Sequence, residues 1–426
     1  MYILQRIFKY SLSFLILTSN AAWSAEAPSG GSTPLTDEAA ASRGFSTLYR
    51  FRGGALGNWP RGGVALDTAG NVYGTTLYGG SCSTCGVIYQ LVKPAPGQTA
   101  WTYKVLHAFQ LGADGIAPTA PLTIKGSAIY GTASAGANPL CGCGEVFSLT
   151  KSGTGWSYKI LHRFNRSQGT TPIGGVLVAA DGTLYGTASG GGAKQGGVLY
   201  KITPGGTFSV LHNFAKATGS GPQGELIFGK DGAIYGTTFS GGKYNQGAVF
   251  RITTGGAYSV LYHFKGIYQF PPSHDGAQPE GRLALGKDGT IYGTTTFGGN
   301  ASGYGTAWSL TPSAGGTWTY AQLYIFGSPS NLPHSGLVID AAGNLYGTAA
   351  GGGAFGSGTL YRLSPPKTGK TWVLTVLRSF KGRNTNGDTP YADIVLKGGA
   401  LYGTNLTGGM LNLCGNGCGT VFRYGL

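Results

Sequence analysis

The chain has 426 residues, 79 of them glycine, with 41% apolar and 12% aromatic residues. Glycine without a Gly-X-Y period excludes collagen, and this much apolar and aromatic content excludes a disordered chain. The formal charge of +15 means either a basic surface with few acids or an anionic partner, such as an acidic polysaccharide or the cell envelope. It does not point to nucleic acid, because basic residues are scattered singly (Lys201, Arg251, Arg362, Arg423) with no Lys/Arg run and no recognition-helix pattern.

In chain order, residues 1–24 read as a signal peptide. Arg6 and Lys9 form a basic start, Tyr10–Leu17 a short apolar run, and Ala21–Ala25 a small-residue cleavage site after Ser24, with Ala22 at the minus-three position. No later stretch approaches the roughly 20 apolar residues of a membrane helix, so no transmembrane segment is expected once the signal is removed. The protein is expected to be exported, to the periplasm or the extracellular space. Its charge falls from +15 to +13 without Arg6 and Lys9. Residues 25–44, rich in Pro, Ser and Ala, read as a linker.

From residue 45 the chain is periodic. Tyr-Gly-Thr begins at Tyr73, Tyr130, Tyr185, Tyr235, Tyr292, Tyr346 and Tyr402, at spacings of 57, 55, 50, 57, 54 and 56 residues. A period of this length means a solenoid or a propeller. In the third repeat, "GVLVAADGTLYGTASGGG" places an Asp-Gly turn between two alternating runs, the pattern of a hairpin. "VLYKI" and "FSVLHNF" follow, making four strands, a to d. There are seven strands of the c type ("VIYQL" to "TVFRY") but six of the d type after them, and "FSTLYRF" (Phe45–Phe51) carries the missing d pattern ahead of the first repeat. A ring explains the displacement: the N-terminal strand completes the last blade, and closure removes exposed strand edges. The reading is an all-β chain, a single seven-bladed β-propeller over residues 45–426, of four-stranded antiparallel blades and a monomer. Tyr-Gly-Thr is then architecture, with Tyr packed between sheets and Gly allowing the neighbouring blade to approach.

These residues resemble a known family. "KDGTIYGTTTFGG" (Lys287–Gly299) and "LHAFQLGADGIAP" (Leu106–Pro118), within the wider pattern DGTLYGTTxxGG, GTVFxL, LHxFxG and DGxxPxxGL, are similar to the GloVer tandem repeat of exported bacterial choice-of-anchor proteins. The resemblance covers residues 45–426. It implies an exported propeller and supplies no reaction, catalytic residue or cofactor, so no cofactor is expected. Many members carry an anchoring segment after the repeats. This sequence stops within its last blade, which favours a periplasmic or released protein.

The d–a loops contain x-Gly-x-x-Pro in six of seven repeats, and the residue after each Pro is not repeated: Arg61, Thr119, Ile173, Gln223, Glu280, His334 and Tyr391. These seven are expected to ring one mouth of the central channel, and positions that vary on a fixed scaffold are where specificity resides. The polar sector Glu280, His334, Tyr391 and Arg61, with Trp59 beside Arg61 and His274 and Asp275 before Glu280, is the candidate ligand site. Trp59 or Tyr391 would stack a sugar, and Arg61 would hold a carboxylate. As an alternative the same sector forms a carbohydrate-active enzyme, a lyase or hydrolase, with His334 or His274 paired to Glu280 as acid and base, or with Asp275 as metal ligands. Only 15 acids are present, several of them in hairpin turns, so a paired-carboxylate glycosidase is hard to assemble. His107, His162 and His212 share one repeat position on strand d and read as structural. Cys82 and Cys85, Cys141 and Cys143, and Cys414 and Cys418 lie in three b–c loops. They read as local disulfides of an exported chain, with a different pairing open for the tight Cys141–Cys143 ring and no metal expected.

Overall fold

The computed structural model describes residues 44–138, 140–153, 155–266, 275–382, 385–409 and 414–426. The expected signal segment, nearly all of the linker and His274 lie outside the described residues. Seven four-stranded antiparallel sheets make up the fold, with two short two-stranded ladders in the loops and no α-helix among the described residues. No helix there is long and apolar enough to cross a membrane.

Blade 1 consists of Val64–Leu66, Val72–Thr76, Val87–Val92 and Thr102–Ala108. Blade 3 consists of Val176–Val178, Leu184–Ala188, Val198–Ile202 and Phe208–Asn213, and blade 4 of Ile227–Phe228, Ile234–Thr238, Ala248–Ile252 and Tyr258–His263. Blades 2, 5 and 6 repeat the order within residues 123–163, 284–325 and 338–379. Blade 7 takes strands a to c from Val395–Lys397, Ala400–Asn405 and Thr420–Gly425, and its outermost strand is Phe45–Arg50. The closing register pairs Phe45 with Tyr424 and Tyr49 with Val421. The N-terminal strand thus closes the ring.

Aromatic contacts cement the blades. The Phe that ends each strand d is fully buried and packs against the strand-c aromatic of the next blade. Phe51 meets Tyr89, Phe109 Phe147, Phe164 Tyr200, Phe214 Phe250, Phe264 Trp308, Phe326 Tyr361 and Phe380 Phe422, with ring centroids 5.1 to 5.5 Å apart. Edge-on and tilted pairs at this distance add to the gain from burial. The Phe51–Tyr89 and Phe380–Phe422 contacts sit on either side of blade 7, so the closing blade has the same cement as the rest.

The repeated Tyr-Gly-Thr divides its tasks differently from the sequence expectation in one respect. The Tyr does pack between blades: Tyr73 lies against Trp156, Tyr235 against Trp318 and Tyr185 against Phe228. Its hydroxyl also anchors the a–b turn, as Tyr73 does on Asp67 Oδ2 at 3.0 Å and Tyr346 on Asp340 Oδ2 at 2.9 Å. The Gly makes room for its own blade, not for the neighbour. Gly236 pairs across the sheet with Phe250, whose ring folds over it, and a Cβ there would strike Phe250 Cζ and Leu226 Cδ2. The other six glycines stand under Tyr89, Phe147, Tyr200, Trp308, Tyr361 and Phe422 in the same way.

The strand-d histidines are packing groups. His107 stacks on Tyr158, His162 on Phe208 and His212 on Tyr258. Burial pushes His162 and His212 down to about 4, so both are neutral near pH 7.

Candidate ligand site at the channel mouth

Each mouth residue is positioned by the backbone before its proline. The residue preceding the Pro has a positive φ in all seven repeats, from 53° at Thr389 to 65° at Gly221, and in six it is not glycine. Non-glycine residues resist this conformation, and a following proline restricts them further. Two inter-blade hydrogen bonds hold it. The N–H of Ala117 donates to Cys85 O in the blade before, and its carbonyl accepts from Ser134 N in the blade after, at 3.0 and 3.2 Å. The same pair of bonds recurs at Trp59, Thr171, Gly221, Gln278, Leu332 and Thr389. The proline then directs the next side chain inward.

Three of the seven acceptor carbonyls belong to Cys85, Cys143 and Cys418. Disulfides join Cys82 to Cys85, Cys141 to Cys143 and Cys414 to Cys418, the local pairing in every case. The bridges therefore staple the loops on which Thr119, Ile173 and Arg61 depend.

All seven residues that follow the prolines line one cavity of about 80 Å³ at the channel mouth. Glu280 is its centre. Its Oε1 lies 2.6 Å from His334 Nδ1 and accepts from Thr296 Oγ1 at 2.6 Å, and its Oε2 accepts from the Tyr391 hydroxyl at 3.3 Å. Burial would raise this carboxyl, but the charge and hydrogen bond of His334, with Thr296 and Arg61, outweigh it and hold Glu280 below its ordinary value. Burial and the Glu280 charge push the Tyr391 hydroxyl up.

The ring of Tyr391 is occupied on both sides. His334, one blade before, stacks on it at 4.4 Å, and the Arg61 guanidinium, one blade after, lies 5.0 Å from its centroid. It has no free face for a sugar. Trp59 does not line the cavity; its ring packs on Tyr78 at 5.3 Å and its backbone makes the inter-blade bonds just described. Asp275 is also elsewhere. Its carboxylate accepts from Tyr262 OH at 2.6 Å and from the N–H groups of Lys265 and Gly266, which makes it the anchor of its own loop. Of the expected ligand residues, the structure brings together Arg61, Glu280, His334 and Tyr391. No group of three or more His, Cys, Asp or Glu among the described residues has the arrangement of a metal site.

A charged belt lies one step down the channel, built from residues the sequence reading passed over. Glu225, Arg282 and Asp393 each stand two positions after a mouth residue, just ahead of strand a, and line the channel together. Arg282 Nε is 3.7 Å from Glu225 Oε2, while Asp393 accepts from Arg282 N at 3.3 Å and from Gly336 N. Burial and the nearby Asp393 charge raise Glu225 to about 7 despite Arg282. Burial also raises Asp393, against the pull of its backbone hydrogen bonds and Arg282. The belt also lines a cavity of about 250 Å³, together with apolar side chains such as Leu122, Leu177 and Val395. The signal for the belt was present in the period-two alternation. Applied to the residue two beyond each mouth position, it finds three charges among glycines and a proline.

With this geometry in place, comparison with known proteins adds the family. The Gloeobacter/Verrucomicrobia repeat matches residues 126–338, half of the chain. The protein belongs to this repeat family. No curated protein matches the chain. Among solved structures it is similar to a putative oxidoreductase (glucose dehydrogenase) from Thermus thermophilus, with 14% identity, 89% of this chain and 99% of that one covered, and a TM-score of 0.43. It is similar to the PQQ-bound aldose sugar dehydrogenase of Streptomyces coelicolor, with 11% identity, 90% and 98% covered, and a TM-score of 0.45. It is also similar to a putative 6-phosphogluconolactonase from Bacteroides uniformis, with 14% identity, 77% and 86% covered, and a TM-score of 0.48.

Proposed function

We propose that this repeat-family propeller is an exported binding module whose channel mouth takes a polar end group of a saccharide chain or of another envelope polymer. The supporting observation is that the seven non-repeated side chains of the d–a loops gather around one cavity while the scaffold beneath them is repeated sevenfold. Its volume of about 80 Å³ is far below the roughly 300–1,000 Å³ of pockets that enclose a whole small molecule, so the occupant is a terminal hydroxyl, carboxylate or similar group. Arg61 offers a fork of donors, and the His334–Glu280–Tyr391 cluster offers a fixed imidazole. Residues 1–24 supply export, and the three disulfides fit an oxidising compartment.

A second reading is a carbohydrate-active lyase or hydrolase at the same mouth. Two carboxyls of one channel have their acidities pushed apart, Glu280 downward and Glu225 up to about 7, which is how acid and base roles are separated in enzymes. A panel of neutral and acidic oligosaccharides tests both readings. Binding without product formation, weakened by Glu280→Gln with His334→Asn, supports the module. Turnover that this double variant abolishes while binding persists supports the enzyme. Neither binding nor turnover refutes both.

A further inference from the structure

The d–a and b–c loops share one face of the propeller, and over blades 3 and 4 five consecutive loops each present one exposed basic side chain. Arg166, Lys216 and Lys265 come from d–a loops, and Lys194 and Lys243 from the b–c loops between them. The loops are tied in register. Gly192 N donates to Arg166 O at 2.9 Å, and one repeat later Gly242 N donates to Lys216 O at 2.8 Å. None of the five makes an ion pair with any carboxylate among the described residues. The described acids of these loops are Glu225, Asp275 and Glu280, and each has a partner away from the five bases: Asp275 its own loop's N–H groups, Glu280 His334, and Glu225 Arg282. The opposite face differs. Its a–b turns carry Asp67, Asp181, Asp231, Asp288 and Asp340 among the lysines. The arc shares with the polar mouth sector only the d–a loop that carries both Lys265 and Glu280; Arg166, Lys194, Lys216 and Lys243 stand on other loops.

We propose that this arc is a second, extended site that holds an anionic polysaccharide along its carboxylates or sulfates. Five like charges fixed on successive loops repel one another, and an extended polyanion relieves that repulsion while releasing its own counterions. The surroundings select the class of polymer. Asn165, Ser167, Gln195 and Asn245 flank the bases and suit sugar hydroxyls. Among the described residues of these five loops no large apolar side chain is exposed, although Leu140 is exposed in the adjoining b–c loop of blade 2, and the vesicle arm of the test separates a bilayer surface from a polysaccharide. Tyr244, beside Lys243, is half-buried with the Lys243 ammonium 5.4 Å from its ring, so it does not offer the open stacking face of a single-strand nucleic-acid site. The inference shares only the class of ligand with the mouth reading and stands on different residues.

The test is calorimetric titration of the full chain with polygalacturonate, with dextran as the neutral control. Anionic phosphatidylglycerol vesicles and oligothymidylate serve as rival polyanions. The triple variant Lys194→Gln, Lys216→Gln, Lys243→Gln is expected to weaken polygalacturonate binding about tenfold or more and to flatten its salt dependence. Lys93→Gln, Lys151→Gln, Lys367→Gln removes the same charge from exposed positions in or beside the c–d turns of the opposite face and is expected to change binding by about twofold or less. Equal losses in the two triples would reduce the effect to net charge and overturn the site. No binding of polygalacturonate, or tighter binding of vesicles or oligothymidylate, would overturn the polysaccharide assignment.

Discussion

Glu225 should destabilise the protein once it ionises, and replacing it should therefore stabilise the fold in a pH-dependent way. Its side chain is 21% exposed within the channel, and its nearest cation, Arg282 Nε, stands 3.7 Å away. Burial and Asp393 together raise the carboxyl from 4.5 to about 7. The folded state therefore holds a proton that the unfolded chain has released. Between pH 4.5 and 7 the unfolded chain is favoured progressively more, and above pH 7 the full penalty is present. A raise of that size costs about 3 kcal/mol. Glu225→Gln keeps the shape of the neutral acid and removes the penalty. With an unfolding entropy near 2 cal/mol/K per residue over about 380 residues, the melting temperature should rise by about 4 °C at about pH 8 and barely change near pH 5. Scanning calorimetry of both proteins at the two pH values measures this. A melting temperature at the higher pH that is unchanged or lowered by the substitution would refute the reasoning, because it would mean that Arg282 already neutralises an ionised Glu225.

Two further outcomes concern the ring. Phe51→Ala should cost about 3–5 kcal/mol in urea unfolding, the same as Phe214→Ala in the middle of the ring, since both rings are fully buried against the next blade. A much smaller loss at Phe51 would mean that the N-terminal strand does not seal the propeller in solution. Gly236→Ala should cost about 1–3 kcal/mol through overpacking against Phe250, and less in a Phe250→Leu background. Equal costs in the two backgrounds would show that the aromatic ring is not what the glycine serves.

Much of the architecture was legible in the repeat. Tandem copies report the same strand seven times, so errors in one copy are corrected by the others. The permutation of one strand needed only a count. The mouth ring was legible for a similar reason, because a proline recurs a few residues ahead of every strand a and the residue after it takes the same place in each blade. The choice among polar neighbours was not legible. Asp275 and Trp59 lie within a few residues of Glu280 and Arg61, yet one carboxylate turns back to its own loop and one indole turns to Tyr78.

By itself the sequence determined the number of blades, the strand that closes them, the loops that carry the paired cysteines and the seven side chains that face the mouth. All of these follow from periodicity and from constraints acting within a few residues. Only the tertiary structure decided that His334 bonds Glu280, that both faces of Tyr391 are covered, that Glu225, Arg282 and Asp393 form a belt beneath, and that five bases line up over blades 3 and 4. Those relations join residues one or more repeats apart, and they arise when neighbouring blades are wedged around a common axis.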